Sequence, residues 1–254
     1  MRGASPDRPG PDLSSVTLAA VTSVAIPHTI EALRASMAQA QFAHVLLFSD
    51  EPPGPNPGDI RWIQIARLAS RVEYSRFILK ALAEHISTSH ALCVQWDGFV
   101  VDGAAWDPAF LNFDYIGAPW PHFSDGHNVG NGGFSLRSRR LLEACRDLPF
   151  DGTQLEDVLI CRQWRPELER RGIRFAPESV ARRFAYERTS PRGDEFGFHG
   201  AFNLVRLLAP TDALRLFRSL EPGMLARNER WEVFAWAVRR GRLRLALEML
   251  RRLA

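Results

Sequence analysis

Four places along the chain carry residue types and spacings that could do chemistry. Asp97 stands in Gln95-Trp96-Asp97-Gly98, directly after the apolar run Ala91-Leu92-Cys93-Val94. That run reads as a buried strand and Gly98 breaks it, so the carboxylate falls where a strand of an α/β sheet stops. Ligands of open α/β sheets bind at the carboxyl ends of strands. A carboxylate there suits a divalent cation and, through it, the phosphates of a nucleotide, because such cations bind through one or two carboxylates plus phosphate oxygens. Asn131-Gly132-Gly133 offers two glycines that permit positive φ and close backbone approach to a ligand. Glu156-Asp157 places two acids at an expected helix start, where the macrodipole stabilises carboxylates. Phe196-Gly197-Phe198-His199-Gly200 holds a histidine between glycines and aromatics. Each alone has a plainer reading: a turn-capping Asp97, a simple glycine turn, an N-terminal charge cap, a structural histidine. Specificity lies in their joint order.

The elements that must position these residues alternate between strand and helix. Val16 to Val24 is expected as a strand, and Ile26 to Ala40 as a helix with Ile30, Leu33 and Met37 on one face. His44 to Phe48 reads as a second strand, Pro52 to Gly58 as a loop and Ile60 to Ile65 as a third strand. Glu73 to His85 reads as an amphipathic helix leading into the Asp97 strand. Such alternation argues for a parallel sheet covered by helices. Trp106 to Asn128 is aromatic and loop-like, with Phe110, Phe113, Tyr115, Trp120 and Phe123 crowded between prolines. Helices are expected over Arg139 to Arg146 and Glu156 to Arg171, and a short strand over Arg174 to Ala176. Leu204 to Ala254 reads as two or three helices punctuated by Pro210 and Pro222-Gly223. The last, near Leu243 to Leu253, is basic and amphipathic, a pattern that more often covers a core than meets a membrane surface.

Composition sets the outer limits. A chain of 254 residues with 46% apolar and 24% charged content can bury a substantial core as one α/β domain or as one domain with an appendage. The net charge is +3 and Lys80 is the only lysine. No tract combines dense basic residues with spaced aromatics, so no nucleic-acid partner is expected. Cys93, Cys145 and Cys161 lack metal-type spacing, and the odd number argues against a disulfide framework. Met1 to Asp12 has no apolar segment of the signal-peptide kind, and no run of about 20 apolar residues occurs. The expectation is a cytoplasmic protein with at most peripheral membrane contact. Three regions follow: 1–14 without structure, 15–205 catalytic and 206–254 a helical extension.

The segments Gln95-Trp96-Asp97-Gly98-Phe99-Val100, Asp114-Tyr115-Ile116-Gly117-Ala118-Pro119-Trp120, Gly130-Asn131-Gly132-Gly133-Phe134-Ser135-Leu136-Arg137-Ser138, Glu156-Asp157-Val158 and Phe198-His199-Gly200 resemble a bacterial family of unknown function. That family is similar to the GT-A-type glycosyltransferases, and the match runs from about Val16 to Asn203. The resemblance implies a mostly parallel sheet flanked by helices and a metal-dependent transfer of sugar from a nucleotide-diphosphate sugar to a hydroxyl acceptor. In GT-A enzymes an Asp-x-Asp motif binds Mn²⁺ or Mg²⁺ with the donor diphosphate. Asp97 matches its last aspartate, while Gln95 replaces the first, and an amide supplies no charge. His199 is the implied second metal ligand. Glu156-Asp157 fits the acidic pair of inverting members, with Asp157 as base. Thr22, Asp50, Tyr74, Lys80, Gln95 and Trp96 are the candidates for holding the nucleotide sugar. Trp120, Asn131, Gly132 and Gly133 are those for a carbohydrate or glycolipid acceptor, with Tyr115 to Phe123, beside His122 and His127, as one wall of its cleft.

Two other readings stand beside this one. A degenerate sugar-binding or nucleotide-sugar-binding domain without turnover is supported by Gln95. A nucleotidyltransferase would want a glycine-rich, basic loop after the first strand, and Thr22-Ser23-Val24-Ala25-Ile26-Pro27 has none.

Overall fold

β1 (Asp12–Val21) sets the frame of the computed structural model, which describes residues 10–55, 57–221 and 223–253. Residues 1–9 of the segment expected without structure lie outside the described residues, as do Asn56 and Pro222 of the expected loops. The strand itself starts at Asp12, ahead of the expected Val16: the polar Ser14 and Ser15 interrupt the apolar signal at a bulge, and pairing with β2 resumes at Thr17. α1 (Ile26–Met37), β2 (Gln41–Ser49), β3 (Arg61–Gln64), α2 (Arg71–Lys80) and β4 (His90–Val94) follow. The apolar stripe expected to continue α2 to His85 tightens after Lys80 into a 3-10 turn, Leu82–His85. β1 pairs in parallel with β2 on one side and β4 on the other, and β2 with β3.

Both faces of this sheet are buried. Leu18, Ala20, Leu47, Leu92 and Val94 enter one core, and Ala19, Val21, Phe48, Ala91 and Cys93 the other. Strands covered on both sides read as continuous apolar runs, which is why Ala91 to Val94 shows no alternation.

β5 (Tyr115–Ile116), β6 (Ala118–Pro119), β7 (Val129–Gly130) and β8 (Phe134–Ser138) come from the stretch whose aromatics and glycines masked its strands. β8 lies antiparallel to β4 and β5 antiparallel to β8, so the sheet order is β3-β2-β1-β4-β8-β5. The sheet is mostly parallel and flanked by helices, an α/β fold. Its order reverses between β1 and β4, the point beyond whose carboxyl ends ligands bind in such sheets.

α3 (Arg139–Arg146) is followed by a broken helical segment: α4 (Glu156–Val158), a π turn over Leu159–Gln163 and α5 (Arg165–Arg170). One helix was expected there. Pro166 in the first turn of α5 has no N–H for an unbroken ladder and forces the break. The strand expected over Arg174 to Ala176 is a single bridge between Phe175 and Tyr115. α6 (Glu178–Phe184), β9 (Ala185–Tyr186) and β10 (Gly197–Phe198) complete this part.

The described residues divide into two compact units between His199 and Gly200. The second contains α7 (Ala201–Leu207), α8 (Pro210–Ser219), α9 (Arg227–Arg239) and α10 (Leu243–Arg251), four helices where two or three were expected. Among the described residues no helix is long and apolar enough to cross a membrane. All three cysteines are free and buried.

Candidate active site

β4 delivers Gln95 and Asp97 to the carboxyl edge of the sheet. The Gly98 N–H donates to Gln95 O at 3.0 Å, closing a four-residue turn that carries Asp97. A Cβ at position 98 would stand 2.8 Å from Phe198 O and 3.1 Å from the His199 ring, so glycine lets the histidine lie against this turn. Asp97 is buried, and its Oδ1 has no hydrogen-bond partner.

The histidine arrives from the short parallel pair of β9 and β10. Tyr186 and Phe198 are register partners, and Glu187 and His199 follow them side by side. His199 Nε2 lies 3.4 Å from Asp97 Oδ1 and 3.3 Å from Gln95 Oε1, while Nδ1 lies 3.4 Å from Glu187 Oε1. Burial works against a charged imidazole here, but the carboxylates of Asp97 and then Glu187 outweigh it and hold the His199 pKa well above the usual range. Gln95 Nε2 donates to the Tyr74 hydroxyl at 3.0 Å, which ties α2 to the same cluster.

The glycine pair joins this cluster to the acidic pair. A Cβ on Gly133 would fall 2.0 Å from His199 Nε2, and one on Gly132 would fall 2.0 Å from Glu156 Oε1. The loop's positive φ belongs to Asn131, at 77°, whose side-chain oxygen accepts from Gly133 N at 2.8 Å. Gly132 N donates to Asp157 Oδ2 at 3.2 Å, and Val158 N to Asp157 Oδ1 at 2.8 Å. Burial first, and then the neighbouring Glu156 charge, push the Asp157 carboxyl up to about 6. Glu156 is engaged elsewhere: Arg137 Nη2 donates to its Oε1 at 3.1 Å and Ser75 Oγ to its Oε2 at 3.3 Å. Arg137 is fully buried, and its Nε also donates to Ser135 Oγ at 2.9 Å.

The structure thus brings together Gln95, Asp97, His199, Tyr74, Gly132, Gly133, Glu156 and Asp157. Thr22 and Asp50 stand on the same edge of the sheet, just past β1 and β2, and Asp50 Oδ1 is buried without a partner. Half-buried Trp96 sits in the turn beside Asp97. Other expectations need correction. Lys80 does not reach this edge: its ammonium donates to the carbonyls of Cys145 (3.0 Å), Arg146 (2.8 Å) and Leu148, capping the end of α3. Trp120 is 7% exposed and packs in a core with Leu159, Ile160 and Trp164, so it is no cleft wall. Tyr115 is buried there too, its hydroxyl donating to Asn131 O at 2.9 Å. Gly132 and Gly133 lie directly against the protein's own Glu156 and His199, so the contacts shown for these glycines are internal ones.

Glu187 and Arg137 were not read from the sequence. The signal for Glu187 was its place just after Phe184-Ala185-Tyr186, a short apolar run paired with Phe196-Gly197-Phe198. Arg137, inside an apolar strand, needed a buried acid as partner, and Glu156 offered one.

Gln95, Asp97 and His199 could hold a divalent cation, which would have to displace the proton that the two carboxylates keep on the imidazole. With metal–oxygen distances of 2.0–2.1 Å, neighbouring octahedral ligands stand about 3 Å apart, close to the 3.3 and 3.4 Å separations around His199 Nε2. Glu187 beside Nδ1 is the second partner that metal-binding histidines require to orient the ring. Among the described residues no three His, Cys, Asp or Glu side chains are grouped to hold a metal by themselves. A cation here would complete its shell with phosphate oxygens and water, as Mg²⁺-type ions do.

No curated protein matches the chain. Among solved structures, a glycosyltransferase involved in the glycosylation of the major capsid of PBCV-1 aligns over 72% of this chain and 92% of its own, with 12% identity and a TM-score of 0.47. The apo-form glycosyltransferase GlyE of Streptococcus pneumoniae covers 72% of this chain and 53% of its own, with 11% identity and a TM-score of 0.44. An active-site mutant of LgtC covers 74% and 86%, with 16% identity and a TM-score of 0.44. Likenesses of this size leave the fold to be read from the strand order itself. The family model described as "Protein of unknown function (DUF5672)" matches residues 59–199, more than half of the chain and every member of the cluster around Asp97, and the protein belongs to that family.

Proposed function

We propose that the protein is a glycosyltransferase that moves a sugar from a nucleotide-diphosphate donor to a hydroxyl acceptor with inversion at the anomeric carbon. The observation that carries this reading is the Gly132–Gly133 step. It sets a carboxyl with a pKa of about 6 on one glycine, and an imidazole 3.4 Å from a buried carboxylate on the next. Consecutive Cα atoms are ~3.8 Å apart, so a base and a cation-type site share one corner of the sheet edge.

Asp97 and His199, with Gln95 Oε1 beside them, would hold Mn²⁺ or Mg²⁺. Such a cation, when bound, neutralises the diphosphate and makes it a better leaving group. Asp157 takes the proton of the acceptor hydroxyl. The acceptor oxygen forms its bond to the anomeric carbon as the bond from that carbon to the diphosphate oxygen breaks, and the nucleoside diphosphate leaves with the electron pair. A carboxyl that titrates near 6 is deprotonated at neutral pH yet more basic than an ordinary aspartate, which suits a general base. Glu156, held by Arg137, positions the turn that presents Asp157.

A thermal-shift panel of nucleoside diphosphates and sugar nucleotides, with and without Mn²⁺, tests this. A ligand at a hundred times its Kd stabilises the native state by about 2.7 kcal/mol. The expected result is a shift that needs both Mn²⁺ and the nucleotide and disappears in Asp97→Asn. No shift with any donor, or unchanged Mn²⁺ dependence in that variant, overturns the reading. Release of free nucleotide from the donor that binds separates a transferase from a sugar-binding domain without turnover.

A further inference from the structure

We propose that the unit formed by residues 200–254 docks on anionic membrane surfaces through α9 and α10. The observation is where the exposed apolar side chains are. Of the large hydrophobic residues exposed among the described residues, all but Val24 lie on these two helices. On α10, Leu243, Leu247 and Leu250 are 69%, 56% and 48% exposed, while Leu245, Ala246 and Met249 face inward. A spacing of three and four residues puts the three leucines in one stripe. The helix is therefore apolar on two sides, and packing within the unit accounts for only one of them. On α9, Trp231 and Val238 stand 46% and 50% exposed, seven residues and therefore about two turns apart on one face.

Charge selects the occupant. Residues 200–254 contain eleven arginines and five acids, a net of +6, whereas the first 199 residues sum to −3. Arg244 and Arg251 are exposed on α10 and flank the leucine stripe, while Glu248, its only acid, is paired with Arg218 and Arg252. Arg239 and Arg240 are exposed at the end of α9. A leucine stripe bordered by arginines, with an exposed tryptophan on the adjacent helix, matches a layer of acyl chains beneath anionic headgroups. Basic residues near such a surface add attraction that salt screens. A second copy of the chain would bring the same arginine-bordered face against this one and suits it poorly.

Co-sedimentation of the full chain with vesicles is the test. One set is phosphatidylcholine alone, the other phosphatidylcholine with about one-third phosphatidylglycerol. The expected result is binding to the anionic vesicles only, weakened at high salt. Leu247→Ser with Leu250→Ser should weaken it tenfold or more, and Arg244→Gln with Arg251→Gln should reduce its salt dependence. All four residues are exposed, so circular dichroism should show the native spectrum; should the leucine variant lose it, the arginine variant alone decides. No binding to anionic vesicles, or equal binding to both sets, overturns the proposal. So does a self-association, seen by sedimentation equilibrium, that the leucine variant abolishes without any vesicle binding. None of these outcomes bears on the sugar-transfer reading, which is tested in solution without lipid.

Discussion

At the scale of single residues, the glycine pair and the acid pair explain each other. Glycines 132 and 133 are required by the protein's own side chains: an alanine at 133 would place its Cβ 2.0 Å from His199 Nε2. Gly133→Ala should therefore displace the imidazole and abolish the Mn²⁺-dependent thermal shift, with a far smaller effect on the melting temperature without ligand. Preserved Mn²⁺ dependence in that variant would show that His199 is not part of the site. Asp157 carries a sharper expectation, because its carboxyl is raised from the ordinary 3.8 to about 6. Between those values the folded chain binds more protons than the unfolded one. Stability therefore falls as pH rises through this window and stays lowered above it. Asp157→Asn does not titrate, so its stability relative to the wild type should rise by about 1–3 kcal/mol between pH 4 and neutrality. The same variant should lose about 10²–10⁴ in transfer rate. A stability difference between variant and wild type that stays constant from pH 4 to pH 7 would contradict the assigned shift.

Between elements, the Arg137–Glu156 pair joins β8 to α4. Both side chains are buried, and Ser75 of α2 completes the acid's partners. Removing one partner of such a pair strands a buried charge and costs about 3–5 kcal/mol, whereas replacing both by apolar groups is often near neutral. Arg137→Met should thus be strongly destabilising, and Arg137→Met with Glu156→Leu much less so, as denaturant melts would measure. A double variant as unstable as the sum of the two singles would mean that the pair is not coupled. Activity offers a second readout: if Glu156 only positions, Glu156→Gln should retain more transfer than Asp157→Asn.

Among the described residues up to His199, apolar side chains gather in two clusters on the faces of the sheet and a third around α3 to α5 that contains Trp120. The Trp120 ring also occupies the space above Gly130, where a Cβ would approach to 2.2 Å. Trp120→Ala should cost about 3–5 kcal/mol, which for a chain of this size lowers the melting temperature by roughly 10 °C. A melting temperature within a degree or two of the wild type, with acceptor use selectively lost, would return Trp120 to a binding role.

The sequence by itself determined the strand–helix alternation from β1 to β4 and the arrival of Asp97 at a strand end, because local periodicity and a breaking glycine are written in adjacent residues. It also marked His199 and Asp157 as groups of interest, through their unusual neighbours. Only the tertiary structure decided which groups meet. Lys80 and Trp120 carry side chains fit for a ligand site, yet one caps α3 and the other fills a core, and neither fate leaves a local trace. The strands β8, β9 and β10 were hidden because a two- to five-residue pairing shows too little period to read. Those strands place Glu187 beside His199 and Arg137 beside Glu156. Contacts between residues 12 and 19 positions apart depend on pairing register and on burial, and both are properties of the folded chain.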